Sequence, residues 1–101
     1  MLKLYRHIYH KNIYLAKNWH IVGGSYTTEF YYATEDIFTA LKDANRDGFR
    51  NFMHLADKGL TANIVLSKEI EIDGYKGVCK KEVKYPVSEF VLVELVEKGG
   101  E

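Results

Sequence analysis

The chain has 101 residues, 47% of them hydrophobic and 28% charged, which suits a single domain (1–101) with its own core and excludes the disordered class, where too few apolar groups offset chain entropy. Its formal net charge is zero, which weighs against an enzyme whose substrate is a polyanion. The lone cysteine, Cys79, excludes an internal disulfide, fits a reducing compartment or indifference to redox state, and reads as a small apolar core residue.

Residues 2–10 alternate as a strand, with Leu2, Leu4, Arg6 and Ile8 on one side and Lys3, Tyr5, His7 and Tyr9 on the other. Leu2, Tyr5 and Tyr9 also fit helical spacing, and the density of Tyr and Ile decides for strand. A turn is expected at Lys11-Asn12, followed by a second strand with Ile13, Leu15, Trp19 and Ile21 on one face, punctuated by Gly23-Gly24. Residues 25–33 read as a third strand with Tyr26, Thr28, Phe30 and Tyr32 on one face, completing a β-meander.

Thr34 followed by Glu35 and Asp36 marks a helix start, because the hydroxyl can accept free N–H groups and the acids complement the positive end of the dipole. Apolar residues from Ile37 to Ala56 recur at helical spacing, and Lys58-Gly59 is the stop. This pattern fits either one helix over about 35–58 or a pair broken at Asn45 to Gly48. From Leu60 strands return, with Ala62, Ile64 and Leu66 alternating and Asp73-Gly74 as a hairpin turn. Glu69 and Glu71 should face a strand bearing Lys80, Lys81 and Lys84. Pro86 belongs at a strand start or on an edge, for want of an N–H. A last strand carries Val87, Val91, Val93 and Leu95 on one face and Phe90, Leu92 and Val96 on the other, so it should be central or covered by a partner. The tail after Lys98 reads as disordered. The expected fold is α+β: an antiparallel sheet of five or six strands with one long helix or a helix pair on one face.

No apolar run resembles a signal peptide or approaches the ~18 residues of a membrane span, so the chain is expected to be cytoplasmic and to have no membrane partner. Asp43-Ala-Asn45-Arg-Asp47-Gly48 matches the start of a calcium loop, but the eighth and twelfth positions are Arg50 and His54, which leaves too few oxygens for the cation. His7 and His10 have opposite strand parity, and no carboxylate or cysteine lies in the first 28 residues to complete a zinc shell. No nucleophile elbow, phosphate loop or carboxylate pair is present. No cofactor, metal or catalytic residue is expected.

Charge is distributed unevenly. The first 28 residues hold Lys3, Arg6, Lys11 and Lys17 with no acid, and all 14 acids follow from Glu29. Five of the eight tyrosines also precede residue 32. The row Lys3, Tyr5, His7, Tyr9 and Lys11, extended by Lys17, Trp19 and His20, is the leading candidate site, since cations pair with phosphates while aromatic rings stack on unpaired bases. The expected function is a non-enzymatic module contacting nucleic acid through this face. The alternative is a homodimeric protein-interaction or inhibitor module using the same aromatics. The third reading is a metal-independent nuclease built from His7 and His20.

Overall fold

A computed structural model describes residues 2–18, 30–46, 49 and 59–96 of the chain. The elements in order are β1 (Leu2–His7), β2 (Tyr14–Asn18), β3 (Phe30–Thr34), α1 (Ile37–Ala44), β4 (Thr61–Ile72), β5 (Tyr75–Pro86), a 3-10 turn (Val87–Glu89) and β6 (Phe90–Leu95). The expected strand residues 19–21 and 25–29, the glycines 23–24, the helical residues 50–58 and the tail lie outside the described residues.

The strands form one six-stranded sheet in the order β5-β4-β3-β2-β1-β6. The α+β class and the antiparallel β1-β2-β3 meander stand. An all-antiparallel sheet does not: β3 and β4 run parallel, with Tyr32 beside Asn63. The reason is topological. Parallel neighbours need a long crossover rather than a tight turn, and the chain between Thr34 and Thr61, which contains α1, supplies it.

Of the two helix expectations, the single helix over 35–58 is overturned: α1 covers Ile37–Ala44, and Asn45, at φ −97° and ψ 4°, ends it where the broken pair placed its break. The second half of that pair lies largely outside the described residues. Asp36 is the N-cap: its carboxylate accepts the Phe38 N–H at 3.0 Å and the Thr39 hydroxyl at 2.7 Å. Thr34, the last residue of β3, instead accepts the Asp36 N–H through its hydroxyl at 3.0 Å. Two rather than one Asx/ST-type contacts thus turn the chain from strand into helix.

α1 packs against β1 and β2, and these two strands are paired in register at Arg6 and Tyr14. Toward their far ends α1 takes over. The Asp43 carboxylate accepts the Lys17 backbone N–H at 3.0 Å, and the Asn45 side-chain amide donates to the Lys3 C=O at 2.9 Å and to the Leu41 C=O at 2.6 Å. Asp43 is 5% exposed, so its partner matters: buried polar groups are costly unless bonded. On the sheet, Leu15, Tyr31, Ala33, Ala62, Tyr85 and Phe90 form one apolar cluster with Phe49 and Ala44. Leu15 is wholly buried, a contribution of about 1.5–3 kcal/mol.

β4 and β5 are 12 residues each, whereas β3, to which β4 pairs, has five. Their outer halves therefore run on as a two-stranded ribbon. Asp73 and Gly74 close it with φ of 50° and 83°, the positive pair that a two-residue type I′ turn requires. That turn fixes the register, which sets Glu71 opposite Lys76 but Glu69 opposite Val78. Lys80, Lys81 and Lys84 face Ser67, Leu66 and Asn63, so the expected charge pairing across the hairpin does not form. Pro86 ends β5, an edge strand, as its missing N–H demands. β6 lies at the opposite edge, beyond β1, rather than at the centre. Its Phe90 is buried in the core while Val91 and Leu92 stay 38% and 47% exposed. Apolar residues on both faces therefore mark an edge strand here, not a central one.

Asp43→Ala should destabilise the chain by about 1–3 kcal/mol in urea denaturation, because the buried Lys17 N–H loses its acceptor. Asp43→Asn, which keeps an oxygen there, should recover part of that loss, and a neutral Asp43→Ala would contradict the role assigned to α1.

Candidate functional site

The expected basic, aromatic row follows β1 into the turn after it. Lys3 is half-buried. Tyr5 is half-buried too, and its ring stacks on Phe49 at 5.5 Å between centroids. His7 is 2% and Lys17 4% exposed. The Lys17 ammonium lies 5.7 Å over the Tyr31 ring, whose hydroxyl donates to the Phe49 C=O at 2.6 Å. Tyr9 and Lys11 are exposed at the turn. Trp19 and His20 lie outside the described residues. His7 and Lys17 are therefore turned into the fold, while Tyr9 and Lys11, with His10 between them, form an exposed group.

His7 has a distinct structural environment. Nε2 lies 2.7 Å from Glu89 Oε1, and Nδ1 accepts the backbone N–H groups of Tyr9 and His10, both at 3.2 Å. A nitrogen that accepts two N–H groups carries no hydrogen, so the bonding pattern assigns the proton of the neutral ring to Nε2, which donates to Glu89. The ring stacks on His10 at 5.0 Å and meets Tyr85 and Phe90 at 4.6 and 5.4 Å. The expectation that His7 and His10 point to opposite faces fails because β1 ends at His7. The chain then turns, held by His7 N–H to Ile13 C=O at 2.8 Å and Ile13 N–H to His10 C=O at 3.1 Å. With both ring nitrogens engaged, His7 ties the turn to β5 and β6.

Among the described residues two ionisable groups shift, both away from neutrality. Burial first, and then the charges of Asp43 and Asp36, push the Tyr32 hydroxyl above its ordinary value. The Thr39 hydroxyl bond chiefly holds Asp36 below the usual carboxylate range. Neither shift prepares an acid or base for pH 7. Of the calcium-loop residues, Asp43 and Asn45 serve the Lys17 and Lys3 backbone, and Asp47 and Gly48 lie outside the described residues. Among the described residues no group of three His, Cys, Asp or Glu side chains is placed to hold a metal ion. No helix among them is long and apolar enough to cross a membrane.

The surface that sequence reasoning missed is the β4–β5 ribbon. Residues opposite one another share a face, so Ala62, Ile64, Leu66, Lys68, Ile70 and Ile72 lie with Tyr85, Val83, Lys81, Cys79, Gly77 and Tyr75. This stripe begins in the core at Ala62, 0% exposed, and emerges at Ile70, Ile72 and Tyr75, which are 36%, 62% and 80% exposed. Ile70 lies over Gly77, where an added Cβ would sit 3.6 Å from its Cγ1. Cys79 is exposed on the ribbon opposite Lys68 and is not the core residue expected. The alternation of Ile70 and Ile72 signalled a strand, but nothing in it signalled that this strand outruns its neighbours.

No protein-family model matches the chain, and neither the curated proteins nor the solved structures contain a match.

His7→Ala should cost about 3 kcal/mol of stability, from the cavity and the stranded Tyr9 and His10 amides. Glu89→Gln keeps an acceptor for Nε2–H and should cost about 1 kcal/mol or less. Urea denaturation reads both, and a His7→Ala chain as stable as the wild type would contradict this account.

Proposed function

We propose that the chain is a non-enzymatic protein-binding module whose contacting element is the outer half of the β4–β5 ribbon. The observation that carries this reading is the exposed apolar cluster of Ile70, Ile72 and Tyr75 at the tip, on the same face as the core residue Ala62 and separated from it by the Lys68–Cys79 pair. An isolated two-stranded hairpin is marginally stable in water, and an apolar face beside a polar one is the pattern of a surface that another protein covers. Charge favours protein over nucleic acid as the partner of the ribbon. Lys68, Lys76, Lys80 and Lys81 are balanced by Glu69, Glu71, Asp73 and Glu82, so it carries no excess of cations for phosphates.

Nucleic-acid contact is the second reading, supported by the exposed Tyr9, His10 and Lys11. It draws little from His7 and Lys17, whose burial keeps them from a phosphate backbone.

The test compares wild type with the double variant Ile72→Lys and Tyr75→Lys, first checking by circular dichroism that both fold. Proteins captured from cell extract by the wild type should be lost from the variant, and identical captured sets would sink the ribbon as the contact. Fluorescence anisotropy with labelled single-stranded and duplex oligonucleotides separates the readings. Binding that weakens with salt and disappears in Lys3→Glu plus Lys11→Glu would move the function to nucleic acid.

A further inference from the structure

The sheet has two edges, and their chemistry differs. Natural edge strands are kept from pairing with other chains by lysines, prolines or twist. β5 carries Lys76, Lys80, Lys81 and Lys84 and ends at Pro86. β6 reads Phe90-Val91-Leu92-Val93-Glu94-Leu95, with Glu94 its sole charge.

Among the described residues no strand pairs with the outer edge of β6, which leaves backbone bonding groups there. The Ile8 N–H donates to the Glu89 C=O at 2.9 Å, which sets the phase of the β1–β6 ladder because bonded and non-bonded pairs alternate. Val91, Val93 and Leu95, opposite Arg6, Leu4 and Leu2, spend their backbone groups on β1. Leu92 and Glu94, opposite Tyr5 and Lys3, turn theirs outward. The same phase aims the Lys3 C=O and His7 N–H toward β2, where Asn45 and Ile13 meet them, so the assignment is consistent on both sides of β1. The Phe90 N–H is used by the Val87 C=O, but the Phe90 C=O points outward like that of Leu92.

We propose that β6 pairs antiparallel with β6 of a second copy of this chain, about a two-fold axis through Leu92. The occupant follows from the strand's own symmetry. Val91-Leu92-Val93 reads the same in both directions, so the axis sets Leu92 against Leu92 of the second copy and Val91 against Val93. Leu92 exchanges N–H and C=O bonds with its counterpart, and the Glu94 N–H of each copy donates to the Phe90 C=O of the other. Glu94 thereby faces an aromatic ring and no like charge, and β-branched and apolar pairs across strands are favourable. The contact is isologous, as closed dimers require. One strand edge is small against the roughly 1,200–2,000 Å² of a standard interface, so the dimer depends on concentration. This inference stands apart from the ribbon reading, since it uses the opposite edge of the sheet.

Sedimentation equilibrium over a concentration series tests it, with disulfide trapping in a Cys79→Ser background. The wild type should approach twice the mass of one chain, and Leu92→Lys, folded by circular dichroism, should stay at one. Under mild oxidation Leu92→Cys should form a covalent dimer, because residues directly opposite in a bonded pair lie about 5.5 Å apart, within disulfide reach. Glu94→Cys, which faces Phe90, should not. The variant Ile72→Lys with Tyr75→Lys should keep the wild-type mass. A wild type that stays at single-chain mass throughout, a Leu92→Lys protein that remains dimeric, or trapping through Glu94→Cys but not Leu92→Cys would overturn the proposal. Loss of the dimer in the ribbon variant alone would assign the seam to the ribbon instead.

Discussion

The ladder between β1 and β2 pairs Arg6 with Tyr14 and is not continued to Lys3 and Lys17, so backbone groups there must find partners elsewhere or pay for burial. Asp43 and Asn45, at the end of α1, meet that demand at Lys17 and Lys3. The remainder of the sheet depends on this substitution. β1 carries β6 on its other side, and β2 carries β3 and through it the β4–β5 ribbon. A short helix thus bonds to both of these neighbouring strands, and the polar residues at its C-terminal end are structural where their sequence resembles a cation loop.

The aromatic wealth of the first third has a similar explanation. Tyr5 stacks on Phe49, Tyr31 bonds the Phe49 carbonyl, and His7 lies among His10, Tyr85 and Phe90. In a chain of this size the core is small, and large rings with a polar atom let it fill volume while still satisfying nearby backbone. Lys17 is buried under the same logic, its backbone N–H held by Asp43 and its ammonium placed over Tyr31.

Much of the fold was legible in the sequence. Alternation announced β1 and β4, Asp73-Gly74 announced the hairpin turn, and the meander followed from the spacing of turns. Three features were not legible, each for a physical reason. Parity at His7 predicts a surface only while the strand continues, and here it ends at that residue. The parallel β3–β4 pairing depends on where the crossover returns, which local pattern does not encode. Apolar residues on both faces of β6 fit a central strand and an unprotected edge equally well, and strand order alone separates them. As for the candidate site, His7 and Lys17 went to the core and Lys3 and Tyr5 are half-buried, while the exposed apolar cluster lay on a hairpin whose charges looked like ordinary cross-strand pairs.

The molecule therefore presents a folded sheet from which one ribbon projects. Six further residues on each strand, at about 3.4 Å apiece, carry it roughly 20 Å past Leu66 and Lys81. The central claim is that this outer half serves contact and not folding, and the register allows a direct test. Leu66 faces Lys81 just as Ile72 faces Tyr75, and six residues is an even number of pairs, so 67–72 and 75–80 can be excised with Asp73-Gly74 joining Leu66 to Lys81. Thermal unfolding of the shortened chain is the measurement to make. The account predicts a cooperative transition within a few degrees of the wild type, and a chain that fails to fold or melts far lower would show that the ribbon belongs to the core.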